Sequence, residues 1–309
     1  MESKESKESP KMNRTEILKL ILNRKDDISD SSARIYVASL LSLSNHFEWT
    51  DVRNFTNKSK DILKYLDTLT PQRAKAILSA LLAIVSHKKV SEIYKNKMLD
   101  VAKTVRDTEQ KQEKTEKQSE NWESWASVLN VYKDLESEAS PLFNKSNLSP
   151  QNLKTILHYV ILSMYVLIPP RRIADYTNFK IKDISKKDDN YLDQDKNELV
   201  FNAYKTAKNY GTQRVECPPK LLEVLNKWIP VASKYSDFLL FNSYGNGLSQ
   251  PQLTKMLNAI FDKKISASML RHIFVSEVTL KDAPKLSELE KVAHDMGHSI
   301  GEQMLYKKF

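Results

Sequence analysis

Apolar residues along this chain recur every three or four positions far more often than at every second one, and that spacing predicts helices. From Met12 to about Val105 the pattern is helical throughout, with no glycine and almost no strand signal. Asp30-Ser-Ser-Ala-Arg-Ile-Tyr-Val-Ala-Ser-Leu-Leu-Ser-Leu opens on capping residues and then repeats apolar positions at helical spacing. Thr70-Pro71 starts another such run, with Thr70 as N-cap and Pro71 at the first helical position. Four or five helices of this kind predict a small all-α domain over residues 12–105, preceded by a disordered polar tail at residues 1–11. Between Lys103 and Glu120 lie five basic and five acidic residues and no aliphatic one after Val105. A charged helical extension or linker is expected at residues 106–120. Trp122 and Trp125 restart the apolar pattern three apart, a spacing that predicts one core-facing helical side, and a second domain over residues 121–309.

In that second part, Ser149-Pro150 caps a long apolar helix that runs to Pro169-Pro170-Arg171-Arg172. The clearest strand signal follows. Leu199-Val-Phe-Asn-Ala-Tyr-Lys205-Thr and Gly211-Thr-Gln-Arg-Val-Glu-Cys flank the turn Ala207-Lys208-Asn-Tyr-Gly and read as a β-hairpin. Helices are predicted again over Pro218–Ser233, Ser249–Asp262 and Ser266–Val278, with a short buried segment at Asp237–Phe241. The fold class is therefore mainly α with a small β-hairpin or sheet.

Composition narrows the chemistry. The 309 residues carry 48 Lys and Arg against 39 Asp and Glu, a net charge of +9 that suits a polyanionic partner. Only five glycines occur, all after residue 210, so neither a Walker loop nor a dinucleotide fingerprint can be written, and nucleotide-cofactor chemistry is excluded. The single cysteine, Cys217, excludes an internal disulfide framework and fits a reducing intracellular compartment, cytoplasm or nucleus. The N-terminus does not resemble a signal peptide, and the most apolar run, Ile156 to Pro170, falls short of a bilayer span. No membrane association is expected. His294-Asp-Met-Gly-His298 echoes a zinc-helix spacing, but Asp replaces Glu, Gly297 disfavours helix and no third ligand is indicated, so no metal and no other cofactor are expected.

The end of the chain sets Arg271, then His298 in a Gly-His-Ser turn, then Tyr306 eight residues on. A cation for a phosphate, a hydrogen-bond donor and a phenolic nucleophile together allow a phosphodiester to be broken without a metal. The wording Leu-Arg-His, Met-Gly-His-Ser, Tyr resembles the C-terminal signature of the tyrosine recombinase, or phage-integrase, family. The resemblance covers residues 120–309 through scattered motifs and the N-terminal half more loosely. It implies an N-terminal helical core-binding domain and an α+β tyrosine recombinase catalytic domain clamping double-stranded DNA.

Carried over position by position, the resemblance assigns five residues. Arg172-Ile-Ala-Asp175 matches the phrase that holds the first arginine, with Arg171 as a competing candidate and Asp175 as the carboxylate that orients the guanidinium. Pro170 stands where the family usually has glycine. Lys205-Thr206 matches the hairpin lysine, a general acid for the leaving 5′ oxygen, with Lys208 as fallback. Arg271 and His298 would hold the phosphate, and Tyr306 would attack it. Three positions before Arg271 the family has histidine or lysine; here Ser268 can donate a hydrogen bond but carries no charge. His272 is expected to pack rather than react. In the N-terminal domain Arg34, Arg73, Lys75, Lys88 and Lys89 could follow the DNA backbone. The family assembles as dimers to tetramers on DNA, and many members continue into a tail that docks on a neighbouring protomer. With three residues after Tyr306, coupling here is expected through other surfaces, or weakly, or the chain is truncated. The implied activity is site-specific recombination or integration through a 3′-phosphotyrosine. Type IB topoisomerase-like relaxation and a catalytically impaired DNA-binding descendant are the alternatives. Lysine, asparagine and isoleucine richness hints at a virus or mobile element.

Overall fold

In the computed structural model, which describes residues 12–177 and 179–306, helices dominate and the strands form one small sheet. The tail expected at residues 1–11 lies outside the described residues. The chain divides into two units: residues up to Glu113 together with those from Pro284 onward, and Lys114–Ala283.

The first unit begins with α1 (Arg14–Leu22), α2 (Asp30–His46), α3 (Asn54–Asn57), α4 (Ser59–Leu66), α5 (Pro71–Ile84) and α6 (Lys88–Gln110). These are six helices among the described residues, where apolar spacing alone suggested four or five. The extra ones are α3 and α4, separated only by Lys58, too short for a repeat of apolar positions to announce them. Local chemistry fixes the ends. The Ser29 hydroxyl accepts from Ser32 N at the start of α2, and Pro71 occupies the first turn of α5. Ile17, Leu40, Leu43, Ile62, Leu78 and Leu81 are fully buried in this unit's core. Tyr94 is buried beside them because its hydroxyl donates to Phe55 O at 2.6 Å.

The second unit runs through α7 (Glu116–Asn121), α8 (Trp125–Ala139), a 3-10 turn (Ser140–Asn144), α9 (Pro150–Val166) and α10 (Ile173–Thr177). Strands β1 (Phe179–Lys180), β2 (Asn190–Asp193) and β3 (Glu198–Phe201), the short α11 (Ala207–Tyr210) and β4 (Gln213–Glu216) come next. Then follow α12 (Pro219–Ala232), α13 (Gln250–Phe261) and α14 (Ala267–Phe274), which passes into a π-helical turn at Val275–Thr279. The sheet order is β1-β2-β3-β4, with β1 parallel to β2 and the other pairs antiparallel. The central helix α9 is capped by Ser149, whose hydroxyl accepts from Asn152 N at 3.2 Å. It buries an unbroken run from Tyr159 to Tyr165. Trp228 of α12 is fully buried, stacks on Phe241 and donates to Leu239 O at 2.8 Å.

Three sequence expectations change in this unit. The hairpin pairs β3 with β4, but the first strand ends at Phe201, so Lys205 and Thr206 stand on the connection rather than on a strand. Trp122 and Trp125 do not share a helical side, because α7 ends at Asn121 and α8 begins at Trp125. The helix bearing Arg271 stops being α-helical at Phe274. No helix among the described residues is long and apolar enough to cross a membrane.

The chain then returns to the first unit with α15 (Leu286–Asp295) and α16 (Ile300–Tyr306). Gln110 Nε2 donates to Glu290 Oε1 at 3.1 Å, and Leu286 N donates to Gln112 Oε1 at 2.7 Å, so α15 is tied to the end of α6.

Candidate anion-binding site

The second unit sets three of its four arginines to act on one buried carboxylate. Asp175, on α10, is 2% exposed and accepts from Arg171 Nε at 3.0 Å. Arg171 also donates to Gln213 Oε1 of β4 at 2.9 Å, and its guanidinium lies 3.9 Å from the Phe201 ring centroid. An ion pair, a neutral hydrogen bond and an aromatic face thus hold Arg171 in a single geometry. The sequence spacing to Asp175 favours Arg172 for that pairing; the structure gives the pairing to Arg171.

Burial pushes the Asp175 carboxyl above the usual carboxylate range, and the positive charges of Arg171, Arg172 and Arg271 pull against it. All three guanidinium groups therefore act on one carboxyl. Among the described residues only Arg171 bonds to it. Among the described residues the guanidinium groups of Arg172 and Arg271 have no hydrogen-bond or ion-pair partner. Asp175 Oδ1 is shielded from solvent and likewise unpartnered. Cations drawn to a carboxylate yet not consumed by it are available to an anion.

Asn190, at the start of β2 and fully buried, fastens the neighbouring loop. Its amide donates to Asp175 O at 2.8 Å and Ala203 O at 2.9 Å. Its Oδ1 accepts from Asn202 N at 2.8 Å and Ala203 N at 2.7 Å. The Tyr204 hydroxyl then closes the loop onto Gly211 O at 2.6 Å, and the Arg171 guanidinium is 5.5 Å from the Tyr204 ring. Lys205 follows directly and is exposed, as is Lys208 on α11. Ser268 is exposed on α14, one turn before Arg271 and His272.

His298 and Tyr306 belong to the other unit. Gly297 takes φ +77°, a left-handed conformation that ends α15, and His298 N donates back to Ala293 O at 3.0 Å. This closure makes Gly-His a helix stop and holds His298 half-buried. Its ring centroid lies 5.6 Å from that of Tyr306, the last residue of α16, which is 66% exposed. The structure thus brings Arg172, Lys205 and Arg271 into one unit, and His298 and Tyr306 into the other.

His294 is 90% exposed beside Asp295, and the helix ends before a second histidine could share its side. No cluster of three or more His, Cys, Asp or Glu side chains capable of holding a metal occurs among the described residues. Arg34 on α2, Arg73 and Lys75 on α5, and Lys88 and Lys89 on α6 are all exposed. Arg73 donates to Ser42 Oγ at 3.0 Å. The first turns of α5 and α6 carry Arg73, Lys88 and Lys89 and no acid, against the preference of a helix N-terminus for negative charge.

Asn190 and Gln213 escape a motif reading because their roles depend on the sheet register, not on any local pattern. The doubled arginine at 171–172 carried the signal for two roles, but only the geometry separates them.

No protein-family model matches the sequence, and no curated protein matches it. Among solved structures the chain is similar to the crystal structure of XerA recombinase, at 12% identity over 96% of this chain and 94% of that one, with a TM-score of 0.36. A likeness of that size carries no argument about chemistry.

Proposed function

We propose that this protein binds double-stranded DNA and cleaves and rejoins it as a site-specific recombinase or integrase through a 3′-phosphotyrosine. The observation that carries the reading is the pair of unpartnered guanidinium groups, Arg172 and Arg271, drawn to the buried Asp175 while Arg171 alone is committed to it. Two such groups suit the non-bridging oxygens of a phosphodiester, where charge builds in the pentavalent transition state. In this reading the Tyr306 hydroxyl loses its proton to solvent as Oη attacks phosphorus, the phosphorus–O5′ bond breaks, and Lys205 gives its own proton to the leaving 5′ oxygen. His298 donates a hydrogen bond to the phosphate. Attack by a 5′ hydroxyl on the phosphotyrosine reverses the step, returning the proton to Lys205, and no external energy source is needed. The exposed cations of α2, α5 and α6 would follow the duplex backbone. Protomers would assemble as dimers to tetramers on the DNA.

A second reading, a DNA-binding descendant without strand transfer, is favoured by one observation: Ser268, a neutral hydroxyl, stands where the resembled family places histidine or lysine. The two readings part on a single assay. Nicked duplexes that trap the adduct are incubated with the full chain and resolved on a denaturing gel. The strand-transfer reading requires a covalent protein–DNA band that disappears in Tyr306→Phe while duplex binding persists. A Tyr306→Phe variant that still forms the adduct would end it. Duplex binding without adduct, over a panel of candidate sites, would establish the second reading.

A further inference from the structure

Within the second unit, a cleft of about 390 Å³ opens between α7 on one side and α13 and α14 on the other. Its chemistry is one-sided. Among the described residues Lys117, Lys264 and His272 line it, no carboxylate does, and Met269 is the only apolar lining residue. Neither lysine side chain has a hydrogen-bond or ion-pair partner among the described residues. Around them Ser266, Ser268 and Thr254 supply hydroxyls, and Asn258 supplies an amide. Asn258 Oδ1 is shielded from solvent and has no hydrogen-bond partner. A flip of that amide would present its two N–H donors instead.

The walls are fixed rather than incidental. Asn121 Oδ1, at the end of α7, accepts from Lys264 N at 3.1 Å, and Glu123 pairs with Lys263. Glu277, in the π-helical turn after α14, accepts from Trp122 Nε1 at 2.9 Å and from Trp125 N at 2.7 Å. The connection from α7 to α8 is thereby fastened to the segments on both sides of α14 by four contacts. Unpaired cations lining a built cleft that holds no carboxylate among the described residues call for an anion with several acceptor oxygens.

We propose that this cleft binds a phosphate group of the DNA strand, held by Lys117 and Lys264 and contacted by His272 and Ser268. Arg271 is not among the lining residues, so this phosphate is a neighbour of the one assigned to Arg172 and Arg271. The proposal deepens the DNA reading and rests on it for the source of the phosphate. It also gives His272 a role: it stands one turn beyond Ser268, so the same wall of the cleft presents an imidazole after a hydroxyl.

The test uses the full chain labelled with ¹³C in its histidine rings, the His272 resonance being assigned by its loss in His272→Gln. Inorganic phosphate is titrated first, then a DNA duplex, and duplex binding is followed separately by gel shift. The expected result is a saturable movement of the His272 signal with phosphate, and competition between phosphate and duplex for it. The Lys117→Ala/Lys264→Ala variant should weaken phosphate binding on the order of tenfold or more. It should also lower the salt slope of duplex binding by about 1. If the duplex binds but neither ligand moves His272, the cleft assignment is overturned and the DNA reading stands. If phosphate moves His272 while a bound duplex does not compete, the cleft takes a free anion and the strand assignment is overturned. If phosphate moves His272 and no duplex binds at all, the DNA reading itself fails.

Discussion

Replacing Arg171 with alanine should cost stability, whereas replacing its neighbour Arg172 should cost function. Arg171→Ala leaves Asp175, 2% exposed, without its ion-pair partner, and empties the space 3.9 Å from the Phe201 ring. Removing one partner of a buried pair typically costs about 3–5 kcal/mol. The lower end applies here, because the Arg171 side chain is 17% exposed and Asp175 can take up a proton more readily than a solvated carboxylate. We expect about 3 kcal/mol. Arg172→Ala, which breaks no hydrogen bond or ion pair, should stay within about 0.5 kcal/mol. Urea unfolding followed by tryptophan fluorescence reads the relevant unit, since Trp122, Trp125 and Trp228 lie in it and only Trp49 lies in the other. Adding Asp175→Asn to Arg171→Ala removes the stranded charge, so the double variant should recover at least about 1 kcal/mol of coupling. Duplex affinity should fall for Arg172→Ala and hold for Arg171→Ala under conditions where the latter is folded. If Arg172→Ala destabilises as strongly as Arg171→Ala, or if the double variant loses the full sum, the division of labour between the two arginines is wrong.

Three further outcomes are expected, the first from the proposed strand transfer and the other two from the packing of the second unit. Lys205→Ala should slow strand cleavage by roughly 10²–10⁴, the usual range for a general acid, and a 5′-bridging sulfur leaving group, which needs no proton, should restore the rate; Lys208→Ala should show neither effect. Burial pulls the His158 imidazole down to about 4, so the unfolded chain binds the extra proton first as pH falls below about 6.5. Acidification toward pH 4 should therefore remove roughly 1–2 kcal/mol, after allowance for partial exposure, and His158→Gln should abolish that part of the acid sensitivity in urea titrations at several pH values. At Gly245, φ is +78° and an added Cβ would come within 2.4 Å of Tyr235 O, a contact that backbone must move to relieve. Gly245→Ala should cost at least about 2 kcal/mol by the same unfolding assay, and an unchanged midpoint would show that the turn relaxes freely.

Helix content was legible because apolar spacing and caps are local. Ser149 and Pro150 mark the start of α9 in the sequence as they do in space. The hairpin was legible in its pairing but not in its length: β-propensity continues through Tyr204, yet the buried Asn190 amide takes the backbone N–H groups of Asn202 and Ala203 and ends the ladder at Phe201. Strands β1 and β2 left little trace, since two and four residues are too few for alternation to register. The break between α7 and α8 was hidden for another reason. Trp122 and Trp125 sit at helical spacing, but Glu277, more than 150 positions away, binds both and holds the chain extended between them.

The arginine pair shows where local reading stops. Four residues separate Arg171 from Asp175 and three separate Arg172 from it, and both spacings allow contact on a helix. What decides between them is Gln213 and Phe201, supplied by β3 and β4, which give a guanidinium at position 171 a second acceptor and an aromatic face. Once Arg171 saturates Asp175 Oδ2, the positive charge of Arg172 is retained near the carboxyl without being spent on a bond. The same logic applies to Arg271 of α14, whose charge acts on a carboxyl whose Oδ2 is already bonded to Arg171. A buried acid that binds one arginine and attracts two others positions cations without neutralising them, and that arrangement, rather than any single residue of the motif, is what a phosphate would meet.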